Sequence, residues 1–200
     1  MNFSVNNKKN LKSDRIILGI DPGTSVLGYA VICISSDGMT ILAMGVLEMQ
    51  KLTDHFEKLE RIFNRIVSII DEFKPEILAI EAPFYGENVQ SMLKLGRAQG
   101  VSIAAAISRN LTVFEYAPRK IKMSITGNGS ASKEQVAKML QQLIILDEIP
   151  KFLDATDALA VAVCHNYQTK LPNNNSASKS TGKSTNSWKD FISKNPDRVK

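Results

Sequence analysis

Four carboxylates, Asp21, Glu81, Asp154 and Asp157, each stand where an apolar segment ends or begins. The stretch from Asp154 to His165, Asp-Ala-Thr-Asp-Ala-Leu-Ala-Val-Ala-Val-Cys-His, puts two of them on an otherwise small and apolar helix. Residues three apart on a helix share a face, so Asp154 and Asp157 point the same way. Like charges at that spacing repel, and a carboxylate beside apolar packing is costly unless something positive compensates it. Two readings of the pair are open. It is a ligand pair for a cation, or Asp154 is a helix N-cap with Asp157 favoured by the helix dipole.

The other two carboxylates sit at strand ends, where open α/β sheets gather their ligand sites. If the first and fourth strands are adjacent and parallel, Asp21 and Glu81 meet at one edge. The last helix then need only cross that edge. Four carboxylates in one pocket cannot all ionise near neutral pH without cations, because each raises the pKa of the next. Oxygen-only ligands favour hard divalent ions, Mg²⁺ or Mn²⁺, over zinc. Two such ions about 3.5 to 4 Å apart can activate water and hold a phosphodiester for in-line displacement. The expected chemistry is phosphodiester hydrolysis. His165 lies nearly on the face of Asp154 but about 16 Å along the helix, so it and His55 read as structural.

Several elements must position these residues. Arg15 to Ile20, Val26 to Ile34 and Thr40 to Glu48 are runs rich in branched residues, separated by short turn segments, which predicts a three-stranded antiparallel meander. Phe56, Leu59, Ile62, Phe63, Ile66, Val67 and Ile70 recur at helical spacing, with Pro75 beyond the helix end. Glu76 to Ile80 reads as a short buried strand, Asn88 to Ser108 as a long helix and Leu111 to Glu115 as a fifth strand. A short helix around Arg119 to Ser124 follows, then a Gly127-Asn-Gly turn. Ser132 and Gln135 form a capping box for the next helix, and the last begins near Asp154. The sum is an α/β fold, a mixed five-stranded sheet flanked by helices in a single domain. Gly96, Gly100, Ala104 and Ser108 make a stripe without bulk that packs on the chain's own sheet or on a second subunit.

Two hundred residues suit one such domain with tails. No apolar run is long enough to span a bilayer and residues 1–14 lack a signal peptide's apolar segment, so a cytoplasmic protein without membrane contact is expected. Cys33 and Cys164 sit singly in apolar segments and read as buried free thiols. The net charge of +5 is uneven: residues 1–14 carry +2, residues 171–200 carry +4 and the stretch between carries −1. Within that stretch residues 94–138 hold eight basic side chains (Lys94, Arg97, Arg109, Arg119, Lys120, Lys122, Lys133, Lys138) against Glu115 and Glu134. A basic segment beside an acidic one suits a protein that grips a polyanion and coordinates cations there. Residues 1–14 read as a flexible leader and 171–200 as a disordered basic tail interrupted by Trp188, Phe191 and Ile192.

Four ordered motifs, Ile20-Asp21-Pro22-Gly23-Thr24, Ile80-Glu81-Ala82-Pro83-Phe84, Leu93-Lys94-Leu95-Gly96-Arg97-Ala98 and Asp154-Ala155-Thr156-Asp157-Ala158-Leu159-Ala160, resemble those of the RuvC family of bacterial Holliday-junction resolvases. The resemblance covers roughly residues 15–168. It implies a ribonuclease H-like nuclease domain over 15–170, a homodimer, and Mg²⁺-dependent paired nicking of four-way junction DNA in recombination and repair, alongside the RuvA and RuvB branch-migration proteins. Asp21, Glu81, Asp154 and Asp157 match the family's four metal-binding acidic positions. Phe84 matches an aromatic that inserts near the scissile step, and Lys122 and Lys133 match basic residues needed for catalysis or DNA contact. From the residues alone Phe84 could equally tuck under the following helix, and either lysine could be a surface residue. The long helix with Gly96 and Gly100 falls where the family builds its dimer interface.

Rival readings are an actin-like ATPase or sugar kinase, a related ribonuclease H-like protein acting on ribosomal RNA precursors, and a junction-binding module without catalysis. The first lacks a second Gly-rich phosphate loop here. The last is opposed by the presence of all four carboxylates.

Overall fold

In the computed structural model, which describes residues 14–83, 88–144 and 152–170, alternation along the strands decides which helix each side chain meets. β1 (Arg15–Asp21) sends Ile17 to one side of the sheet and Leu18 and Ile20 to the other. β2 (Val26–Ser35) splits likewise, Ala30 and Ile32 against Tyr29 and Val31. β3 (Gly38–Glu48) completes the antiparallel meander. α1 (His55–Phe73) then crosses over to β4 (Ile77–Glu81), which runs parallel to β1 with Ile20 beside Ile80. α2 (Val89–Ile107) leads to β5 (Thr112–Tyr116), parallel to β4. The order across the sheet is β3-β2-β1-β4-β5. The predicted mixed five-stranded sheet is therefore observed, and β1 and β4 are the adjacent parallel pair that the site needs.

α1 and α2 cover one side, where Ile62, Ile66, Ala98 and Ala105 pack on Leu18, Ile20, Leu78 and Ile80. Asp54 caps α1 by accepting from the backbone N–H groups of Phe56 and Glu57, and Lys74 closes it in the left-handed region just before Pro75. The other side is covered by α3 (Pro118–Thr126), α4 (Lys133–Leu143) and α5 (Leu153–Lys170). The capping box at the start of α4 forms as expected: Ser132 N–H donates to Gln135 Oε1 at 2.9 Å, and Gln135 N–H to Ser132 Oγ at 3.3 Å.

α5 is the central helix, lying across β1, β2 and β4 with Ala155, Ala158, Leu159 and Ala162 buried. It comes so close because the sheet is bare beneath it. A Cβ on Gly19 would stand 2.2 Å from the Ala158 carbonyl oxygen, and one on Gly28 1.9 Å from that of Asp154.

Two sequence expectations change. Cys164 is buried in α5, but Cys33, near the Ser35 end of β2, is only partly buried. α5 begins at Leu153, so Asp154 lies in its first turn and is not its N-cap. Phe84, most of the 1–14 leader and the 171–200 tail with Trp188, Phe191 and Ile192 lie outside the described residues. Among the described residues, no helix is long and apolar enough to cross a membrane.

Candidate active site

Strand parity brings the carboxylates together. Asp21 is two residues beyond Gly19, and Glu81 two beyond Ala79, which belongs to the α5-side core. Both side chains therefore leave the strand ends on the face that α5 covers. α5, drawn down onto Gly19 and Gly28, delivers Asp154 and Asp157 from its first turns. Carboxylate oxygens of Asp21, Asp154 and Asp157 lie within 4.8 Å of one another. Glu81 stands outside that triad but close enough for its charge to act on Asp21. Its strand end is fixed from the other side of the sheet, where buried Gln99 of α2 donates through Nε2 to the Glu81 carbonyl at 3.4 Å.

Burial and crowding set the electrostatics. Burial, then the charges of Glu81 and Asp157, push the Asp21 carboxyl well above its usual range. Glu81 is pushed up to about 7, chiefly by burial and then by Asp157, while Lys133 and Lys122 pull it down. Asp157 is also raised by burial, against the opposing hydrogen bond from Lys133. Lys133 Nζ lies 2.5 Å from Asp157 Oδ2 and 3.7 Å from Asp154 Oδ1. Although burial works against its charge, that hydrogen bond and the surrounding carboxylates hold the ammonium above its ordinary pKa.

The cluster faces a cleft of about 450 Å³. Asp21, Glu81 and Asp157 line it together with the cations Arg119, Lys122 and Lys133. Lys122 and Lys133, expected at the site, are thus in it. Arg119 was legible only as one basic residue among eight. Its position three residues before Lys122 on one helix face is the signal that could have singled it out. Arg109, by contrast, is taken up by Asp71 through two hydrogen bonds of 2.9 and 3.0 Å, and Lys120 lies over the Tyr116 ring. His165 is structural as expected. It is fully buried, 2.7 Å through Nδ1 from the Tyr116 hydroxyl, and burial followed by Arg15 lowers its pKa.

Residues 17–165 match the family model of crossover junction endodeoxyribonuclease RuvC. The chain belongs to the RuvC family. It is 56% identical over 195 residues to a crossover junction endodeoxyribonuclease RuvC of Cytophaga hutchinsonii, covering 97% of this chain and 93% of that one. A RuvC of Christiangramia forsetii is 52% identical over 193 residues, covering 96% and 97%. In three dimensions the chain is similar to a Thermus thermophilus RuvC solved in complex with Holliday junction substrate, with a TM-score of 0.72, 30% identity, and coverage of 78% of this chain and 94% of that one. The ribonuclease H-like fold expected from the motifs is thereby shown. So is family membership, and the acidic cluster suits a divalent metal: three converging carboxylates, all oxygen donors, with a fourth beside them.

Proposed function

We propose that this chain is a junction-resolving endonuclease that nicks four-way DNA junctions in symmetric pairs during recombination and repair. The observation that carries the reading is the convergence of Asp21, Asp154 and Asp157 near the ends of β1 and β4, with Glu81 beside them, in a cleft that Arg119, Lys122 and Lys133 also line. Asp21, Glu81, Asp154 and Asp157 would hold two Mg²⁺ ions, with Mn²⁺ as a substitute. The ions would supply an activated water and neutralise charge on the phosphoryl oxygens.

The chain's own residues do the rest. Burial keeps water from screening the carboxylates, so their combined charge is strong where a cation is wanted. Lys133, through the bond to Oδ2, opposes the rise that burial imposes on the Asp157 carboxyl. Lys122, whose charge acts on both Glu81 and Asp157, offers an ammonium to the phosphate backbone. Phe84, three residues beyond Glu81, would stack on an unpaired base near the cleaved step.

The active form would be a homodimer whose two-fold axis sets a second site on the opposed strand. α2 offers the surface: Leu93 and Ile107 are 53% and 60% exposed, and a Cβ on Gly96 or Gly100 would meet nothing within 4 Å. The bare stripe therefore does not pack on the chain's own sheet. The protein would work in the cytoplasm with the RuvA and RuvB branch-migration proteins.

The test is incubation with an immobile four-way junction and a matched linear duplex, in Mg²⁺ or EDTA, resolved on native and denaturing gels. Paired, metal-dependent nicks confined to the junction are expected. Glu81→Gln should bind the junction and fail to cut, since binding rests on phosphate contacts. A Glu81→Gln protein that still cuts would overturn the metal assignment, and absence of junction preference would overturn the substrate.

A further inference from the structure

The cleft lining holds a basic residue that neither the motifs nor the carboxylate cluster explains. Arg119, in the first turn of α3, lines the cleft beside Lys122. Among the described residues it makes no ion pair and no side-chain hydrogen bond. The first turn of α3 carries no acidic residue and Ala117 provides no side-chain cap, so Arg119 and Lys120 stand where a helix favours negative charge. An anion in the cleft would meet there both an exposed, unpaired guanidinium and the positive end of a helix.

Arg119 is also seated. Its stem lies against Gly129 in the turn between α3 and α4, and a Cβ on Gly129 would fall 2.6 Å from Arg119 Cγ, 3.1 Å from Nε and 3.2 Å from the Arg119 carbonyl oxygen. Glycine is not needed there for backbone conformation. Gly127, two residues earlier, is the one at positive φ, 73°, closing α3. Gly129 supplies the space in which the Arg119 stem lies. A guanidinium held by its stem loses less rotamer freedom on binding, and its planar fork matches two phosphate oxygens.

We propose that Arg119 grips a non-reacting phosphate of the DNA strand in the cleft and that Gly129 is its positioning residue. The inference rests on the nucleic-acid reading of the site but not on the four-way geometry of the substrate. The experiment measures binding of the full chain to labelled junction and to a matched linear duplex in EDTA, across a salt series, for wild type, Arg119→Ala, Arg119→Lys, Gly129→Ala and the double variant Arg119→Ala/Gly129→Ala.

Arg119→Ala should bind about tenfold more weakly, as expected for one charge-assisted contact. Its log–log salt slope should be shallower by about one. Arg119→Lys should keep the slope and lose part of the affinity. Gly129→Ala, with Arg119 intact, should weaken binding as Arg119→Ala does, and the double variant should be no weaker than Arg119→Ala alone. The double variant should also melt higher than Gly129→Ala, because removing Cγ removes the nearest clash.

Unchanged affinity and slope in Arg119→Ala would overturn the contact. Losses that multiply in the double variant would overturn the role of Gly129. Should Gly129→Ala fail to fold, the Arg119→Ala and Arg119→Lys slopes still decide the contact, and the double variant's melting still decides the seating. A wild-type chain that binds neither junction nor linear duplex would overturn the nucleic-acid reading itself. Wild-type binding with an indifferent Arg119→Ala would overturn this inference alone.

Discussion

Replacing Lys133 by Met removes the ammonium nearest the carboxylate cluster while keeping the length of its stem. Nζ is 2.5 Å from Asp157 Oδ2 and 3.7 Å from Asp154 Oδ1, with 50% of the lysine side chain and 14% of that of Asp157 exposed. Removing one partner of a fully buried pair costs about 3–5 kcal/mol, and an exposed pair contributes about 0.2–1 kcal/mol. With one partner half exposed the loss should be about 2 kcal/mol. For a chain of this size that lowers the melting temperature by about 4–8 °C in EDTA. A cation bound by the same oxygens would replace the lost charge, so Mg²⁺ should stabilise the variant more than wild type. A tenfold gain in metal affinity adds about 1.4 kcal/mol at saturating metal, or a further 3–6 °C. Nicking should still fall, because the charge facing the substrate is gone. The assays are thermal melting in EDTA and in millimolar Mg²⁺, calorimetric titration with Mn²⁺, and junction nicking. A variant that melts like wild type in EDTA, or gains no more from Mg²⁺, would refute the placement of Lys133 as a charge compensating the cluster.

Other expectations follow from the same geometry. Glu81 has its pKa raised by burial and then by Asp157 to about 7 from 4.5, so the native state keeps a proton that the unfolded chain releases. In EDTA stability should fall as pH rises from about 4.5 to about 7, by about 3 kcal/mol for Glu81, with Asp21 and Asp157 acting in the same direction. Because protons and cations compete for these oxygens, nicking should decline below about pH 7 and recover when Mg²⁺ is raised; a profile indifferent to Mg²⁺ would refute this. Gly100→Arg should leave the monomer folded, since its Cβ meets nothing within 4 Å, but shift the sedimenting species to a monomer that no longer makes paired nicks. Gly28→Ala should lower the melting temperature and abolish nicking together, because its Cβ would press on the Asp154 carbonyl at 1.9 Å; wild-type melting and activity would show that α5 does not depend on that approach.

Much of this arrangement was legible because its signals are local. Branched runs broken by turns give β1 to β3, the 3.6-residue spacing of Ile62, Ile66 and Ile70 gives α1, and Ser132 with Gln135 marks the start of α4. The four carboxylates were legible from their positions at segment ends and from the motifs around them. Contacts between distant segments were not. The pairing of Arg109 with Asp71, 38 residues away, removes a cation from the basic segment, and nothing in either neighbourhood announces it. The Gln99 bond to the Glu81 carbonyl and the seating of Arg119 on Gly129 likewise depend on which helix lies over which turn.

The glycines mark where local pattern gives way to assembly. Gly19 and Gly28 interrupt strands that would be stiffer with branched residues, and a glycine in a strand interior weakens it. That weakness has a use once α5 is in place. The helix opposite presents Ala155, Ala158 and Ala162, so its backbone approaches that of the strands with no side chain larger than a methyl group at the contact. Were either surface ordinary, α5 would sit farther from the sheet and Asp154 and Asp157 would withdraw from Asp21. The approach of the three carboxylates to within 4.8 Å of one another therefore depends on small residues that carry no charge. Burial first, and the neighbouring carboxylates after it, raise the pKa values of Asp21, Glu81 and Asp157, and Lys133 opposes that rise. A site assembled this way has its affinity for cations set by how closely α5 approaches the sheet.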